Sequence, residues 1–161
     1  LPESDESYVT LLFEGRPSLM IWGAHVGVMF IAAMYAFLAL FNAFGLRNSN
    51  EKNLKKLSRK VFITGILMLL GTVLIGSFIS HIRFGYYWGG WPFGDNRTQT
   101  YMELLIVYWL GLTVLFRGTI FGFKPEKNFV SVPGAISLTL VGVLFMIVVY
   151  LAGGHFVDIP I

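Results

Sequence analysis

The sequence predicts an all-α integral membrane protein, a bundle of four transmembrane helices with both chain termini on the outer, non-cytoplasmic side. Three observations carry that expectation. Of 161 residues, 55% are hydrophobic and only 13% charged, where a soluble domain needs roughly a quarter charged residues to stay dispersed. The apolar residues form long runs, and the mean hydropathy is +0.69. The charges gather in the short segments between those runs, and they gather by sign.

Four stretches are long enough to cross a hydrocarbon core of roughly 30 Å at about 1.5 Å per residue. They are residues 18–45, 61–84, 101–123 and 132–153, all within one membrane domain covering residues 1–161. The first holds LMIWGAHVGVMFIAAMYAFLALFNAF, uncharged and longer than needed, so tilt or projection is expected. Pro17 suits its first turn, where a missing N–H is harmless. The second run starts at Val61, directly after the basic segment NEKNLKKLSRK. The third opens on Thr100 and Glu103, the spacing of a capping box. Ser131 and Pro133 mark the start of the fourth, and Gly153–Gly154 its end.

Orientation follows from the basic residues. Nine of the twelve fall in or beside the loops at 46–60 and 124–131: Arg47, Lys52, Lys55, Lys56, Arg59, Lys60, Arg117, Lys124 and Lys127. Only Arg16, Arg83 and Arg97 lie at the other ends of the spans, together with seven of the nine acids. The basic side is therefore expected to be cytoplasmic. This places a multi-pass protein in a bacterial or archaeal cytoplasmic membrane, with the 85–100 loop outside. A first residue of Leu1 fits loss of a signal peptide and the same orientation. The basic run reads as a retention signal, so nucleic acid is not an expected partner.

All three histidines then fall in the outer half. His25 lies within the first span, His81 at the outer end of the second, and His155 just beyond the fourth. An imidazole inside a membrane calls for a partner or a ligand. On a helix His25 shares its face with Met29, Ala32 and Ala36, while Gly23 and Gly27 form a small-xxx-small pair on a roughly opposite face. Interhelical hydrogen bonding would explain His25 without any cofactor. The absence of cysteine rules out disulfides, thiolate-bound clusters and covalently attached haem. A non-covalent haem b between His25 and His81 is the leading cofactor expectation, because two helices of a bundle can offer imidazole from opposite faces. Chlorophyll on membrane histidines is an alternative. Copper is another, with His155 and Asp158 as further ligands.

This layout of helix histidines in four spans resembles the four-helix cytochrome b anchor subunits of respiratory enzymes. The resemblance implies electron transfer between quinones and peripheral redox subunits. Arg83, Tyr86, Tyr87, Trp88, Trp91 and Glu103 are the candidate contacts for a quinone or partner, as aromatic walls with a few polar groups. In YYWGGWPFGD the aromatics also suit a membrane interface, and the Gly–Gly, Trp–Pro and Gly–Asp pairs suit a compact folded loop. No phosphate-binding loop or pair of intramembrane carboxylates points to an independent enzyme or transporter. The expected function is thus a membrane subunit of a larger redox complex, with a cofactor-free structural subunit as the alternative and lipids and other subunits as partners.

Overall fold

The computed structural model describes residues 15–46, 51–94, 96–120, 122 and 124–152, and these are all-helical, with no strand among them. Helix α1, Leu19–Gly45, starts at Ser18, whose hydroxyl accepts a hydrogen bond from the Ile21 N–H at 3.3 Å. Its buried side is Met29, Ala32, Ala36, Ala39 and Ala43, spaced three and four apart. That is the face predicted below His25. All four alanines are fully buried, so the small side chains let a neighbouring helix come close.

That neighbour is a continuous helix in three parts: α2 at Glu51–Leu69, a π-helical segment at Leu70–Gly76, and α3 at Ser77–Phe84. Leu57, Ser58, Val61, Thr64 and Met68 form its fully buried side. Ser58 and Thr64 donate to the carbonyls of Leu54 and Lys60 four residues earlier, so their hydroxyls are satisfied within the helix. α3 ends at Gly85, where φ is +80°, a conformation that suits glycine.

Helix α4, Arg97–Leu115, departs from the sequence expectation at both ends. Its cap is Asn96, whose Oδ1 accepts from the Gln99 N–H at 3.1 Å. Thr100 therefore lies inside the first turn and is not the capping residue. The far end breaks at Phe116, followed by a single turn, α5, at Arg117–Ile120. There the chain folds back: a Cβ on Gly118 would overlap the Lys124 carbonyl oxygen. Helix α6, Val132–Ala152, completes the structure.

The helices form a ring. α1 packs on α2 and α6, and α4 packs on α2 and α6. Trp109 of α4 is fully buried at the centre, and Gly142 of α6 makes room for Tyr108 and Trp109. Leu19–Gly45, Asn53–Phe84 and Val132–Leu151 are long and apolar enough to cross a membrane. α4 is long enough but opens on the polar sequence Arg97-Thr98-Gln99-Thr100, which lowers its hydropathy below that of the other three.

Candidate functional site

The site is built around the π-helical segment. His25 Nδ1 lies 2.9 Å from the Gly71 carbonyl oxygen. A carbonyl only accepts, so Nδ1 carries the proton and the lone pair of the neutral ring sits on Nε2. Two glycines make the approach possible. A Cβ on Gly71 would sit 2.5 Å from Met29 Sδ, and one on Gly76 would sit 3.4 Å from His25 Cε1. The imidazole thus fits in a shallow slot on the π segment, held by α1 against its neighbour.

More polar contacts lie at the same depth. Thr72 Oγ1 donates toward Met29 Sδ at 3.8 Å, and the Tyr150 hydroxyl donates to the Met29 carbonyl at 3.2 Å. These bonds tie α1 to the π segment on one side and to α6 on the other. Glu103 lies at this level too. Gly65 abuts Leu110, and counting seven residues along each antiparallel helix sets Glu103 opposite Thr72. Its Oε2 is enclosed and has no hydrogen-bond partner among the described residues, a condition shared with Ser80 Oγ and Trp109 Nε1.

His81 has a different setting. It is exposed, and its ring stacks on Tyr87 with centroids 4.1 Å apart and planes 3° from parallel. It lies ten residues beyond Gly71 and five beyond Gly76, the two glycines against which the His25 ring packs, roughly 8–15 Å of helix rise. The described contacts set His25 against Gly71 and Gly76 and His81 against Tyr87. Among the described residues there is no group of three or more His, Cys, Asp or Glu placed to hold a metal. His155 and Asp158 lie outside the described residues.

The aromatic loop folds onto the start of α4. Gly89 N–H donates to Gln99 Oε1 at 2.6 Å, Trp91 N–H to Thr100 Oγ1 at 2.9 Å, and Asn96 N–H to the Gly89 carbonyl at 2.7 Å. Tyr86, Tyr87, Trp91 and Phe93 remain exposed, and Trp88 is partly covered. The Arg83 guanidinium lies over the Phe84 ring at 5.0 Å. Beside the loop is an open cleft of about 520 Å³ lined by Trp91, Gly94, Arg97, Thr100 and Tyr101. Of the residues the sequence suggested for a quinone or partner, only Trp91 lines it. Arg97, Thr100 and Tyr101 escaped notice because they read as the polar start of a helix.

A helical membrane protein is the class that this fold and composition define. Compared with known proteins, the chain matches no family model, no curated protein and no solved structure.

Proposed function

We propose that the chain is a four-span membrane subunit of a larger assembly, with its ends on the outer side and its helices serving as a scaffold. The observation that carries this reading is the open glycine flank of α1. A Cβ added to Gly23 or Gly27 would meet nothing within 4 Å among the described residues. Each glycine inside a helix weakens it by about 1 kcal/mol relative to alanine. Two glycines four apart make physical sense where another helix packs closely against them. α4 serves as the fourth span in this reading, because its 19 residues cover about 28 Å. Single-cysteine labelling tests the topology cleanly, since the native chain has no cysteine. Positions 56 and 124 should react only from the cytoplasmic side, and position 93 only from outside.

The His25 geometry favours a second reading, in which the subunit holds haem b and transfers electrons. Histidines that ligate metals commonly donate their other ring N–H to a backbone carbonyl, and His25 donates Nδ1–H to Gly71. Nε2 would then be the atom that ligates the iron. The stack on Tyr87 covers one face of the His81 ring and leaves its in-plane nitrogens as the atoms that would ligate. The visible spectrum of the purified protein separates the readings: haem bands lost in His25→Ala support a cofactor, and a colourless, normally assembled protein supports the scaffold. Chlorophyll absorption or copper on elemental analysis would identify the other ligand chemistries.

A further inference from the structure

The end of the bundle opposite His81 carries a concentration of positive charge that the fold assembles from distant parts of the chain. Lys55, Lys56, Arg59 and Lys60 project from α2. Arg117 begins α5, and Lys124 and Lys127 follow on the connection to α6. Counting seven residues from the Gly65–Leu110 contact in each direction sets Arg117 level with Ser58, in the middle of the α2 cations. α5 packs directly on α2.

The described residues of the connection are held by hydrogen bonds. Gly118 N–H donates to Asn128 Oδ1 at 3.0 Å, Lys124 N–H to the Gly118 carbonyl at 2.8 Å, and Phe129 N–H to the Leu115 carbonyl at 3.0 Å. Two of the cations are also held by aromatic rings. The Arg117 guanidinium lies 3.9 Å from the Phe129 ring centroid, and Lys60 Nζ lies 5.4 Å from that of Tyr35. None of the seven cations is ion-paired with a described residue, and Glu126 is the sole acid whose side chain is described at this end.

Depth identifies the ligand. The apolar run 61–84 covers roughly 36 Å, the whole of a hydrocarbon core of about 30 Å. If the helix spans as proposed above, Lys56, Arg59 and Lys60 stand just beyond the core edge, where phospholipid phosphates lie. We infer that this collar is a binding site for anionic phospholipid headgroups. Phosphate oxygens would be received by Arg59 and Arg117, with the lysines around them. Charge alone would serve to orient the chain, but the folded connection and the ring-held Arg117 and Lys60 give the collar a fixed geometry.

The test is to titrate the full chain in detergent with phosphatidylglycerol and, separately, phosphatidylcholine, counting bound lipids by native mass spectrometry. Phosphatidylglycerol should bind more tightly, and added salt should erode the difference. Neutralising Arg59→Gln or Arg117→Gln should weaken it about fivefold each and leave phosphatidylcholine unchanged. Arg97→Gln, at the other end of the bundle, should change neither. The salt titration on the unaltered chain stands even if a variant does not fold. Equal affinity for the two lipids, or a preference insensitive to salt, overturns the inference. So does displacement of the lipid by inorganic phosphate at equal concentration, which would mean a site for a free anion.

Discussion

The imidazole of His25 on α1 is hydrogen-bonded, Nδ1 to carbonyl oxygen at 2.9 Å, to Gly71 in the π-helical segment. A side chain that would otherwise be costly at membrane depth becomes an interhelical tie. Such bonds contribute about 0.6 kcal/mol on average and up to about 1.7 kcal/mol in membrane bundles. His25→Ala should lower unfolding stability in detergent by roughly 1–2 kcal/mol, since ring packing is lost with the bond. An unfolding titration checks this, and an unchanged midpoint contradicts the role of the tie.

Gly71 should be less tolerant than Gly23. Gly71→Ala drives a methyl group into Met29 and Val28, where the π segment packs on α1. Overpacking of this kind costs about 1–3 kcal/mol. Gly23→Ala meets nothing among the described residues, so the isolated chain should be as stable as before or slightly more so. Thermal unfolding of the two variants side by side gives the comparison.

Glu103 offers a test of the enclosed carboxyl. Oε2 receives no hydrogen bond from the described residues, so Glu103→Gln removes no donated bond seen at that atom. The stability of the isolated chain should change by less than about 0.5 kcal/mol. A loss of 2 kcal/mol or more, read from denaturant unfolding, would show that the carboxylate has a partner the bundle supplies.

The Tyr150 hydroxyl joins α6 to the Met29 carbonyl. Tyr150→Phe keeps the ring and removes that link. A destabilisation of about 1 kcal/mol is expected, with no change in spectrum or subunit composition. Denaturant midpoints measured with absorption spectra check both parts.

These relationships differ in how far the sequence discloses them. The apolar runs gave the long helices, and the spacing of Met29, Ala32 and Ala36 gave the buried face of α1, because helical periodicity and burial leave a direct trace in residue type. The start of α4 differs from the sequence expectation because two caps compete there. Thr100 and Glu103 have the right spacing, but the folded loop uses the Thr100 hydroxyl to receive the Trp91 N–H, and Asn96 takes the cap. The break at Phe116 has no breaker at the residue itself, and its cause lies in how Gly118 and Asn128 fold the following turn. The π segment is equally silent: LGTVLIG is apolar like its surroundings. The rise per residue could set His25 and His81 at comparable depths. It could not reveal that one ring turns to Gly71 and the other to Tyr87, because that choice depends on helix rotation and loop path.

The central claim is that this bundle is one part of a larger membrane assembly. The most direct measurement is the protein mass of the particle extracted in mild detergent, by light scattering corrected for bound detergent, compared with the 18.1 kDa of a single chain. The account predicts a mass well above that value, falling to a single chain when Gly23→Leu blocks the open flank of α1. A monodisperse 18.1 kDa particle from the unaltered protein would contradict it.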